Sequence, residues 1–130
     1  MSGKKFLLDT NIVIGLFAND TSVIEHVDSA KEIFIPAIVI GELFYGAEHS
    51  KHRANNIFKI ESFASVCTVL SCDQITAKHY GHIKSQLKKK GTPIPENDIW
   101  IAALAAQHKL NLATRDRHFK SIVGLTLENW

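Results

Sequence analysis

Apolar residues along this chain fall into short, strand-length clusters separated by longer stretches with helical spacing. The clusters are Phe6-Leu7-Leu8, Ile33-Phe34-Ile35, Val66 to Leu70, Leu110 to Thr114, and Leu125-Thr126-Leu127. The first has no polar alternation, as expected of a strand buried on both faces of a parallel sheet. Asn11 is placed to cap a helix through Ile12, Val13 and Phe17. Ser22 and Glu25 stand in capping-box positions for a short helix to about Ala30, and Pro36 suits the first turn of a helix to about Ser50. Asn55 to Ala64 reads as helix. Ser71 and Gln74 repeat the capping-box pattern before a long helix to Lys90, which Gly91 ends. Thr92 to Pro95 is a rigid connector. Ile99 to Ala106 then has no polar face, which predicts a fully buried helix. Strands alternating with helices predict an α/β fold, a mostly parallel sheet with helices on both faces.

Composition narrows this little. The 130 residues suit one domain, 1–130, and 45% apolar content is enough for one core. A net charge of +2 leaves partners undecided, so any nucleic-acid surface must come from local clustering. Cys67 and Cys72 fit neither a CxxC pair nor a zinc knuckle; they read as thiols of a reducing, cytoplasmic setting. Ile99 to Ala106 is the longest apolar run and is too short to span a membrane. Lys4 and Lys5 precede an apolar stretch that Asp9 interrupts, so no secretory signal is expected.

The acidic residues are more informative. Asp20, Glu25, Asp28, Glu32, Glu48, Glu61 and Glu128 fall in turns or polar faces, whereas Asp9, Glu42, Asp98 and Asp116 are embedded in apolar sequence. Asp9 and Asp116 follow strands, at the sheet edge where α/β folds bind ligands. Each has a plainer reading too: Asp9 and Asp116 as caps, Asp98 as complement to a helix dipole. Glu42 is neither a cap nor on a polar face, and an unpaired carboxylate there is costly. Gathered at one point, four carboxylates repel one another, and a hard divalent cation removes that repulsion. Such a site suits metal-assisted phosphodiester hydrolysis.

These segments resemble a known family. Leu8-Asp9-Thr10-Asn11, Gly41-Glu42-Leu43, Asn97-Asp98-Ile99-Trp100-Ile101-Ala102-Ala103 and Ala113-Thr114-Arg115-Asp116 with His118-Phe119 look like the four signature segments of PIN-domain ribonucleases, in family order. The wording of the last two is most like VapC-type toxins of bacterial toxin–antitoxin pairs. The resemblance implies a three-layer α/β/α sandwich with about five parallel strands, the first in the middle. It also implies a Mg²⁺- or Mn²⁺-dependent endoribonuclease, homodimerisation, and inhibition by a cognate antitoxin protein. It places Asp9, Glu42, Asp98 and Asp116 in the acidic cluster, with Asn11 and Thr114 as supporting polar groups.

Other features stay open. Arg115 and Arg117 flank Asp116 and fit either phosphate contact or a solvated face. His49/His52 and His79/His82 share helix faces but have no convincing third metal ligand. The alternative class is a non-catalytic RNA- or protein-binding module on the same fold, its acids serving as caps. A DNA nuclease or phosphomonoesterase would use the same metal chemistry.

Overall fold

A computed structural model describes residues 3–130. The described chain runs β1 (Lys5–Leu8), α1 (Thr10–Phe17), α2 (Thr21–Ser29), β2 (Glu32–Pro36), α3 (Ala37–Glu48), α4 (Arg53–Val66), β3 (Thr68–Leu70), α5 (Gln74–Lys90), α6 (Glu96–His108), β4 (Asn111–Ala113), a 3₁₀ helix (Arg117–Ser121) and β5 (Leu127–Glu128). The five strands form one sheet in the order β3-β2-β1-β4-β5, every neighbouring pair parallel. The parallel α/β architecture and the central place of the first strand match the expectation.

Parallel neighbours need crossovers, and these are right-handed in nearly all proteins. The sheet grows one way from β1 through β2 to β3, then the chain returns to place β4 on the other side of β1. Helices α1 to α4 therefore cover one face, and α5 and α6 the other. The packing agrees: α1 lies on α2 and α3, α3 on α4, and α5 on α6. Strand order reverses between β1 and β4, which creates a crevice at their carboxyl ends.

The core is centred where burial is greatest. Leu7 and Leu8 of β1, Ile12 and Val13 of α1, Ile35 of β2, Leu112 of β4 and the run Ile101 to Leu104 of α6 are wholly or almost wholly inaccessible. Helix α6 is buried as its missing polar face predicts. Helix α3 is less so: its start is mixed, and Tyr45 stands 70% exposed.

Helix starts are the main local correction. Asp9, not Asn11, caps α1, accepting from the Thr10 N–H at 2.8 Å. Asp20 caps α2 in place of the Ser22/Glu25 box, accepting from Ser22 and Val23. Asp73, reciprocally paired with Thr76, caps α5 in place of Ser71/Gln74. In each case an aspartate at or near the predicted start takes the free N–H groups, because its short ionised side chain is a stronger acceptor. Helix α4 continues to Val66, so the third strand is only Thr68–Leu70, where pairing to β2 begins at Phe34.

Candidate metal centre and nucleic-acid interface

The site begins with strand β1. Its apolar side chains hold the strand in mid-sheet, and the chain leaves the sheet at Asp9, whose own N–H still bonds to the Ala113 carbonyl at 3.0 Å. Asp9 is 5% exposed. One carboxylate oxygen caps α1; the other accepts from the Thr114 hydroxyl at 2.7 Å. Thr114 follows β4, directly across from β1, and its hydroxyl oxygen in turn accepts the Asp116 N–H at 2.9 Å. Thus one buried hydroxyl ties the ends of the two central strands together. Asn11 makes a parallel tie, its side-chain oxygen accepting the Arg115 N–H at 3.2 Å.

Asp116 caps the short 3₁₀ helix, accepting from the His118 N–H at 2.9 Å. Fully buried Phe119 anchors that turn in the core. The His118 ring then reaches back: its Nδ1 lies 3.0 Å from Asp116 Oδ1 and 3.2 Å from Asp98 Oδ2. Asp98 sits in the first turn of α6, which starts at Pro95 without a side-chain cap. Glu96 holds this turn instead, accepting from the Tyr80 hydroxyl and the Lys84 ammonium of α5, while the Tyr80 and Trp100 rings stack at 4.1 Å. Glu42 comes from the middle of α3 and accepts from the Thr10 hydroxyl at 3.2 Å.

The electrostatics link all four acids. Burial is the largest influence on Asp9, Glu42 and Asp98, and it raises each carboxyl above its ordinary value. Neighbouring charge adds to this: Asp116 acts on Asp9, Asp9 on Glu42, and both Asp9 and Asp116 on Asp98. Hydrogen bonds from Thr114, Thr10 and His118 pull the other way. Asp98 is pushed up to about 6. Asp98 and Asp116 meet with His118, ligand atoms of the three lying within 4.8 Å of one another, while the charge of Asp9 is felt at both Glu42 and Asp98. The donor set is oxygen-rich, carries mutual repulsion, and fits a divalent cation.

The flanking arginines differ from each other. The Arg115 guanidinium is engaged, donating to the Trp130 carbonyl at 2.7 Å and to Asp20 at 2.8 Å. It fastens the chain after β4 to the α1–α2 turn. Arg117 is exposed and makes no hydrogen bond or ion pair among the described residues. Lys120 and Arg117 line one hollow with Asp116.

Two hollows open beside Glu42. One, of about 490 Å³, is lined by Thr10, Ile38, Gly41, Glu42, Tyr45 and Asn97. The other, of about 250 Å³, is an apolar groove between α1, α3 and α4, with Ile14, Phe17, Leu43 and Ile60 on its walls and Lys59 at its rim. Sequence reasoning passed over Thr10, Asn97 and His118 as parts of the site. Thr10 and His118 were within reach, since each lies within two residues of a singled-out aspartate.

The PIN domain family matches residues 6–125. Ribonuclease VapC2 of Haemophilus influenzae is 40% identical over 129 residues, covering 97% of this chain and 98% of the relative. The tRNA(fMet)-specific endonuclease VapC of Salmonella typhimurium is 36% identical over 132 residues, covering 97% of this chain and 98% of the relative. The crystal structure of DNA-bound VapBC from Salmonella typhimurium superposes with a TM-score of 0.90 at 34% identity, over 98% of both chains.

Proposed function

From a chain that belongs to the PIN-domain family, among its VapC-type ribonucleases, we propose a divalent-metal-dependent endoribonuclease that acts as the toxin of a toxin–antitoxin pair. One observation carries the chemistry: Asp98, Asp116 and His118 bring ligand atoms within 4.8 Å of one another, and the charges of Asp9 and Asp116 both add to the upward push on the Asp98 carboxyl. That is the mark of a site missing positive charge.

Asp9, Asp98 and Asp116 hold Mg²⁺ or Mn²⁺, and Glu42 completes the cluster. When bound, the cation supplies Lewis acidity toward the phosphodiester and makes water more acidic. The chain's own groups do the rest. Thr114 fixes the direction of the Asp9 carboxylate, Thr10 that of Glu42, and Asn11 holds the loop that carries Asp116. RNA enters across the hollow beside Glu42, where exposed Tyr45 offers a face for base stacking. Arg117 meets phosphate, being the free arginine of the pair.

The apolar groove suits the antitoxin. Ile14 is 55% exposed on its wall, and Lys59 and Glu42 both line the groove. An amphipathic segment laid there directs a basic side chain at the acids, where an arginine pairs bidentately. The similar structure from Salmonella typhimurium is of VapBC, which supports a partner protein for this chain. Residues 1–130 work as one domain, as a homodimer, in the cytoplasm. No helix among the described residues is long and apolar enough to cross a membrane.

The test is cleavage of total RNA and of initiator tRNA, the substrate for which the Salmonella relative is named. Wild type cleaves with Mg²⁺ or Mn²⁺ and stops with EDTA; Asp98→Asn is inactive. Cleavage by Asp98→Asn in EDTA overturns the reading. Divalent-metal binding with no RNA cleavage favours the binding-module alternative.

A further inference from the structure

We propose that His118 is a nitrogen ligand of this same cation site, and that it turns the site's preference from Mg²⁺ toward a first-row transition ion such as Mn²⁺. The inference rests on the metal-nuclease reading above and adds a residue to it.

Distance is the first argument. His118 Nδ1 is 3.0 Å from Asp116 Oδ1 and 3.2 Å from Asp98 Oδ2, and ligand atoms of the three residues all lie within 4.8 Å of one another. Around an octahedral ion with bonds of about 2.1 Å, adjacent ligand atoms are ~3 Å apart and opposite ones ~4 Å. Both contacts of the imidazole nitrogen have the length of an octahedron's edge, and the whole group spans little more than its diagonal.

The backbone supplies the second argument. Exposed side chains on short 3₁₀ turns normally wander, and the His118 side chain is 50% exposed. Here its backbone N–H is held by Asp116 Oδ1 at 2.9 Å, and the next residue, Phe119, is buried in the core. The ring is thereby returned over the carboxylate that caps its own helix. Asp98 arrives from α6, on a turn fixed independently by Glu96. Two elements built separately converge on one nitrogen.

The chemistry follows from the donor. Carboxylates suit Mg²⁺ and Mn²⁺ alike, whereas an imidazole nitrogen suits transition ions. An all-carboxylate site discriminates weakly between these ions, and one nitrogen tips it toward Mn²⁺.

Pulsed electron paramagnetic resonance with Mn²⁺ as the probe tests this on the full chain. Bound Mn²⁺ should show coupling to ¹⁴N, changing to the ¹⁵N pattern when histidine is isotopically labelled. The coupling should vanish in both His118→Gln and His118→Asn, whose folding is checked by melting. Calorimetry should find the Mn²⁺-to-Mg²⁺ affinity ratio reduced about tenfold or more in those variants, the low end of what even an outer-shell partner costs. Mn²⁺ bound through oxygen alone, with RNA still cleaved, overturns the role of His118 and leaves the nuclease intact. Coupling that persists in both variants likewise overturns it. No Mn²⁺ or Mg²⁺ binding at all overturns both proposals together.

Discussion

The Thr114 hydroxyl donates to Asp9 Oδ2 at 2.7 Å while its oxygen accepts the Asp116 N–H at 2.9 Å, so one side chain sets the positions of two acids. Thr114 is buried, and no water replaces it easily. Thr114→Val keeps the volume and loses both bonds. It should destabilise the fold by about 1–3 kcal/mol, the range for leaving a buried polar group unpaired. It should also raise the Asp9 carboxyl further, since that bond now lowers it. Thr114→Ser should restore most of the activity and stability. Thermal melting and cleavage rates of the two variants check this.

Removing the acids should act as loss of a unit. Asp9→Asn, Asp98→Asn and Asp116→Asn should each lower the cleavage rate at least about 10²-fold, the scale of one strong transition-state stabiliser. Double variants should be little worse than single ones. Rates that multiply across the pairs would show the acids working independently.

Stability without metal should carry a signature of Asp98. Its folded carboxyl binds a proton more tightly than the usual 3.8, being pushed up to about 6 chiefly by burial. The native state therefore holds more protons than the unfolded chain between about pH 4 and about pH 6, and this contribution falls as pH rises through that window. Asp98→Asn removes it. The melting temperature of metal-free Asp98→Asn should thus gain on wild type as pH rises to 6, then stay level. Mg²⁺ or Mn²⁺ should raise the wild-type melting temperature above pH 6 by binding only the folded form.

The two arginines should separate cleanly. Arg117→Ala should weaken RNA binding across sequences and reduce the salt slope by about one contact. Arg115→Ala should instead lower the melting temperature, because it frees Trp130 and Asp20, and leave the salt slope alone. Filter binding over a salt series, beside melting curves, distinguishes them.

Tyr45 should matter through its ring. Tyr45→Ala should cost about 1–3 kcal/mol in binding of short single-stranded RNA, the value of one base stack, and Tyr45→Phe close to nothing. Equal loss in both variants would assign the role to the hydroxyl.

The sheet was legible because it obeys a strong local rule, and the four acids stood out in the sequence on similar ground. A strand buried on both faces must be apolar throughout, as Phe6 to Leu8 are, and a carboxylate in apolar sequence needs a reason. The caps were misassigned because Ser22 and Ser71 satisfy the pattern as well as Asp20 and Asp73 do; geometry chose the stronger acceptor. Arg115 looked free beside Asp116 because its partners, Asp20 and Trp130, are set by tertiary packing. His118 entered the sequence reading only as part of a signature segment, since the nearness of Asp98 depends on α6 docking against the 3₁₀ helix.

The separation between Asp9 and Thr114, 105 positions along the chain, has a consequence in time. During synthesis β1 and its neighbour β2 emerge first, while the other edge of β1 has no partner until β4 is made. Until the ribosome has released the last strands, Asp9 has neither Thr114 to orient it nor Asp98 and Asp116 beside it. On the proposed function, a nascent chain that still lacks β4 should therefore be inactive, with cleavage beginning only once the sheet closes. A partner that meets the chain at the tunnel exit has that whole interval in which α1, α3 and α4 are already made and the enzyme is not.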